Sequence, residues 1–120
     1  MATRSIPRQE WTAFCDNFSR EHLGQTATLE MIGQDLGDQP VAEEPQVFRG
    51  ISADEKDREN RIEIMVGPNI TEGPTHSVSS PIELWLTENE GAISTSLEIR
   101  DADGTAAVLT FVAPELPTVV

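Results

Sequence analysis

The hydrophobic period of this chain changes once, at Gly24, and that change restricts its fold more than any other feature. Before it, Trp11, Phe14, Cys15 and Phe18 recur at i, i+3, i+4 and i+7, the spacing that gathers side chains on one stripe of an α-helix. After it, apolar residues alternate with polar ones, the period of strands with one buried face. A chain built this way must lay one helix against a sheet, because neither apolar surface can be left in water.

The spacing predicts a helix over 7–22. Pro7 suits a first turn, where a missing N–H costs nothing. Glu10 and His22 complement the two ends of the helix dipole, and Gly24 can take the left-handed conformation that stops a helix. Each buried aromatic on the stripe contributes about 1.5–3 kcal/mol, enough to dock this element firmly.

Strands are expected over about 25–32, 46–52, 61–67, 81–88, 94–101 and 105–113. Their inward rows are Ala27, Leu29 and Met31; Ile62, Ile64 and Val66; Ile82, Leu84 and Leu86; Leu97 and Ile99; Leu109 and Phe111. Gly50 interrupts the second strand and marks an expected bulge. Residues 33–45, with their glycines, prolines and acids, read as a loop, as do 52–60 and 67–73. Asp103-Gly104 is a two-residue hairpin signal, since both residue types tolerate positive φ. Short connections imply antiparallel pairing. The expected fold is therefore α+β: one domain over 1–120, with an N-terminal helix packed on a curved, mostly antiparallel sheet or partly open barrel of about six strands. Met65, Trp85, Val108 and Val112 fall out of phase with the inward rows, so part of the second sheet face needs a cover. The helix stripe is the expected one.

A length of 120 residues suits one domain with a single core. The net charge of −13 includes only one lysine, Lys56. Such a surface repels phosphates and anionic lipid headgroups, which argues against direct nucleic-acid or membrane binding; it suits a well-solvated surface, a basic protein partner, or a salt-rich habitat where repulsion is screened. Cys15 is the only cysteine, so no internal disulfide can form and a reducing compartment fits. The first ten residues carry arginines with no apolar run after them, unlike a secretory signal. No apolar run reaches the ~20 residues of a membrane span. The expected location is the cytoplasm.

Catalytic signals are sparse. Cys15 and His22 share a helix but stand ~10 Å apart along its axis, too far for a nucleophile and its base, and a thiol on the apolar stripe is inert packing. His22 and His76 form no ligand pair, and no cofactor motif is present. The stretch from Asp101 to Gly104 imitates a calcium loop, but the twelfth position from Asp101 is Val112, where that loop needs a bidentate glutamate. A solvated loop with weak surface pairs explains the charged run Asp54-Glu55-Lys56-Asp57-Arg58-Glu59; alternatively, Asp54 and Asp57 belong to a docking surface. Trp85 is either core beneath the helix or an interface anchor, since tryptophan is enriched at interface hot spots. His76, just before a strand, is a weaker candidate interaction residue.

Several segments carry a family resemblance: Ile6-Pro7-Arg8-Gln9-Glu10-Trp11, then Phe14 and Phe18-Ser19, then Leu29-Glu30 and Gly50-Ile51-Ser52-Ala53-Asp54. They continue with Arg61-Ile62-Glu63-Ile64, Thr75-His76, and Asp103-Gly104-Thr105 with Leu109 and Phe111. In this order and spacing the chain, from about residue 6 to 117, resembles the bacterial domain-of-unknown-function family 5335. The resemblance implies a stand-alone bacterial domain and brings no activity, cofactor or catalytic residue with it.

The leading expectation is thus a non-enzymatic interaction or regulatory module that docks on another protein. A second is a small-molecule-binding domain with a pocket in the curved sheet, lined by Met31, Met65 and the inward isoleucines. A third is an acidic mimic of nucleic acid, which needs carboxylates in rows at phosphate-like spacing.

Overall fold

The computed structural model describes residues 2–33, 37–40, 45–54, 61–88 and 94–112. In chain order they form β1 (Ala2–Ser5), a 3-10 turn (Arg8–Glu10), α1 (Trp11–His22), β2 (Thr26–Gly33), β3 (Gly37–Pro40), β4 (Gln46–Asp54), β5 (Arg61–Gly67), β6 (Thr75–Ser79), β7 (Pro81–Glu88), β8 (Ser94–Asp101) and β9 (Ala106–Val112). Eight strands follow one another in the order β1-β7-β8-β9-β2-β4-β5-β6, and β3 pairs with β2 off that path. Every pairing is antiparallel.

The sheet is open, with β1 and β6 at its two ends, yet strongly curled. Ser80 alone joins β6 to β7, so distant parts of the strand path must approach each other at that corner. Ser80 turns it with φ of 53°, and its carbonyl accepts the Ala102 N–H at 3.1 Å. Curling produces one concave face, and that face is the core. Phe48, Ile62, Ile64, Leu84, Leu97, Ile99 and Leu109 are wholly enclosed on it together with Cys15 of the helix.

The helix lies in this concave face, in the manner its stripe requires. Phe18 meets Phe48 and Phe111 edge-on, with ring centroids 5.9 and 5.5 Å apart, an arrangement that sets positive ring edges against negative faces. Gly24, with φ of 85°, ends the helix, and its N–H donates to the Phe48 carbonyl at 2.9 Å. The helix proper starts at Trp11 rather than Pro7. Pro7 is extended, with ψ of 143°, because the Trp11 indole donates to the Ile6 carbonyl at 2.8 Å and pulls the preceding chain back across the core.

Six strands were expected, and three more are present: β1, β3 and β6. Each lacks the alternation that marks a buried strand. β1 is polar, β3 contains glycine and proline, and β6 has Val78 as its one buried apolar residue. β1 and β6 are held by backbone pairing at the sheet's ends and β3 by pairing with β2 alone, positions where polar residues and Pro40 are tolerated.

Two bulges alter the inward rows. At Gly50 the register of β4 against β5 shifts as expected, so Phe48 and Ile51 both face inward. A second, unexpected shift between Pro81 and Glu83 turns Ile82 outward, where it is 56% exposed while Pro81 is enclosed. The β8–β9 turn also differs from expectation. Only Gly104 takes positive φ, and the Asp101 carboxylate holds the turn by accepting the N–H groups of Asp103 and Thr105 at 2.8 and 3.0 Å.

Candidate functional site

Alternation along β7 places Trp85 opposite Leu84 and Leu86, on the convex outer face. The helix covers the concave face instead, so Trp85 is half-buried surface rather than core beneath the helix. The expectation of a helical cover for the second face fails because one stripe can fill only one side of the sheet, and curling makes the concave side the one that needs filling.

Strand register then assembles the outer face around Trp85. Glu98 stands opposite Trp85, Val108 opposite Glu98, and Glu30 opposite Val108. The neighbouring row is Glu83, Arg100, Ala106 and Ile32. Polar contacts tie the rows together. The Trp85 indole donates to Glu83 Oε2 at 3.3 Å, Arg100 lies 3.6 Å from the same oxygen, and Arg100 Nε donates to Glu98 Oε2 at 3.1 Å. These ion pairs are exposed and contribute little stability; they link the indole, Glu83, Arg100 and Glu98 in one line of contacts across the face.

Arg100 and Glu98 separate two hollows. One, of about 320 Å³, runs along Trp85, Thr87 and Val108. The other, of about 530 Å³, is floored by Ala106 and walled by Ile32 and Ile82. Ile32 and Ile82, at 37% and 56% exposure, are two of the four large apolar side chains most open to water among the described residues. Ile82 was missed in the sequence because its outward direction depends on the bulge.

The other sequence candidates lie elsewhere. His76 pairs with Ile64 on the inward side of β6, half-buried, and its Nε2 is shut from solvent with no hydrogen-bond partner among the described residues. Asp54 ends β4 opposite Arg61, and Asp57 lies outside the described residues. The structure therefore gathers Trp85 with Ile82, Ile32 and Arg100, and does not bring His76 to them. Met31, Met65 and the inward isoleucines line none of the hollows described here. No helix among the described residues is long and apolar enough to cross a membrane.

A third hollow, of about 450 Å³, opens between the second half of α1 and the inner ends of β1, β7 and β8. His22 stands at its rim with its ring 4.3 Å from Phe18 and 4.7 Å from Phe111, and its Nδ1 lies 2.9 Å from Gln25 Oε1. Cys15 is fully enclosed, and burial, with a smaller contribution from Asp16, pushes its thiol from 9.0 up to about 12. That thiol is a core side chain.

Comparison with known proteins agrees with this architecture. The crystal structure of the Bacillus subtilis YojF protein superposes with a TM-score of 0.52 over the whole of both chains at 13% identity, a likeness of fold. A protein of Aquifex aeolicus (strain VF5), described as uncharacterized, is 32% identical over 117 residues, covering 98% of this chain and 97% of its own length. Residues 2–119 match the family of unknown function DUF5335, and with a relative of that identity along nearly its full length the chain belongs to this family.

Proposed function

We propose that the chain is a non-enzymatic docking module that captures a basic protein on the outer face around Trp85. The observation that carries this reading is the position of Trp85: a half-buried indole on the face the helix leaves uncovered, hydrogen-bonded to Glu83 and flanked by two hollows. Tryptophan with exposed aliphatic neighbours supplies the apolar centre of an interface. Charge selects the partner. Glu30, Glu83 and Glu98 stand on this face against Arg100, within a chain of net charge −13. Such a surface attracts a partner with lysines or arginines around an apolar contact and repels an acidic one.

The test is affinity capture from the native cell extract, followed by titration of the purified captured protein. A basic protein retained in stoichiometric amount should bind Trp85→Ala and Ile82→Glu at least about ten-fold more weakly, with melting curves close to the parent's. Charge reversal at Asp54 and Asp57 asks whether that acidic segment shares the surface. Full retention by a folded Trp85→Ala protein would rule out this face.

A further inference from the structure

The apolar inner rows of the sheet end abruptly at one place. Along β7 the inward positions run Leu84, Leu86, Glu88, and along β8 they run Ile99, Leu97, Thr95; beside them Arg4 of β1 pairs with Leu86. Arg4 and Glu88 are exposed, and α1 from Phe14 to His22 stands across from them, leaving between helix and sheet an open hollow of about 450 Å³. Its volume lies within the ~300–1,000 Å³ of small-molecule sites.

The lining has a definite chemical pattern. Phe14 and Leu86 provide an apolar wall, with the Arg4 guanidinium 6.0 Å from the Phe14 ring centroid. Glu21 from the helix and Glu88 from the sheet bring two carboxylates to the same space. None of Arg4, Glu21 and Glu88 forms an ion pair with another described residue. One guanidinium, two carboxylates and an apolar wall thus converge with their charges unspent.

We propose that this hollow binds a small zwitterion with an apolar side chain, of the free α-amino acid class. Arg4 receives the carboxylate in the fork geometry guanidinium offers, Glu88 and Glu21 receive the ammonium, and Phe14 and Leu86 receive the side chain. The overall charge of −13 favours this class over a simple anion: a zwitterion has no net charge for the surrounding field to repel, while its carboxylate still meets the local cation. A simple cation would leave Arg4 unmatched. The site is independent of the Trp85 face, which lies on the other side of the sheet.

NMR titration of the whole chain with L-leucine tests the assignment, alongside 4-methylpentanoate and isoamylamine, which keep the side chain and one charge each. The expected result is saturable shifts at Phe14, His22, Leu86, Glu88 and Thr95, with Kd in the millimolar range or below. Each singly charged analogue should bind at least about ten-fold more weakly. Arg4→Gln and Glu88→Gln, folded by their amide spectra, should each lose about ten-fold, while Trp85→Ala binds leucine as the parent does. No saturation by about 50 mM leucine, equal binding of either analogue, or unchanged affinity in folded Arg4→Gln would each overturn the proposal.

Discussion

At Ser19 a single hydroxyl takes the place of a neighbouring strand. β4 pairs with β2 only through Gln46 and Val47, so the rest of that edge needs other partners. Gly24 and Gln25 bond both backbone groups of Phe48. Ser19 then donates to the Ile51 carbonyl at 2.8 Å and accepts the Ile51 N–H at 2.9 Å. Ser19→Ala would orphan both groups and should cost about 1–3 kcal/mol in urea unfolding. Ser19 belongs to a segment that carries the family resemblance, but no local pattern predicts this contact, because its partner lies 32 residues away. Cys15 was legible: its place on the apolar stripe predicts an inert thiol, and its raised pKa agrees. It should resist an aromatic disulfide reagent at pH 8 in the native protein and react at the rate of unfolding. The sign of its pH effect follows from the same shift. The unfolded thiol loses its proton near 9.0 and the folded one near about 12, so stability is intact below 9 and falls as pH rises between those values. Cys15→Ala should flatten that part of the pH profile.

Among the connections that are fully described, the β5–β6 one is tied by a dense set of hydrogen bonds. Asn69 Oδ1 accepts the N–H groups of Thr71 and Glu72, both at 2.9 Å, and the Thr71 hydroxyl at 2.8 Å. Arg49 reaches over from β4 to the carbonyls of Gly73 and Thr71. The two ends of the loop approach so closely that a Cβ at Gly67 would lie 1.8 Å from the Glu72 carbonyl oxygen, and one at Gly73 would lie 2.1 Å from that of Val66. Gly73→Ala should therefore destabilise by about 2–4 kcal/mol in thermal or urea unfolding, far beyond an ordinary loop substitution. The glycines marked a loop in the sequence; their backbone contact could not be read there. Strand boundaries followed a similar division. Arg61–Gly67, Pro81–Glu88 and Ser94–Asp101 match their alternation, whereas β1, β3 and β6 carry too little apolar signal to be seen. The Pro81 bulge, which turns Ile82 outward, is a property of pairing with β8 and has no signature in β7 alone.

For the molecule as a whole, charge links stability to binding in opposite senses. Self-repulsion within a chain of net charge −13 opposes compaction, so the melting temperature should rise from ~20 mM to ~0.5 M salt as the Debye length shrinks. Capture of a basic partner should weaken over the same range. A calorimetric scan and a binding titration in matched buffers check both, and parallel trends would contradict the charge-selected docking reading.

The sequence by itself determined the class of fold: a 3.6 period followed by a period of 2 leaves one helix and an antiparallel sheet as the arrangement that buries both apolar surfaces. It also determined which side of most strands faces the core, because that side is set by alternation alone. Tertiary structure decided which sheet face the helix fills, and with it the exposure of Trp85 and the hollow beneath Arg4 and Glu88. Those outcomes depend on curl, on bulges and on pairing between distant segments, which are properties of closing the whole sheet and are written in no single stretch of chain.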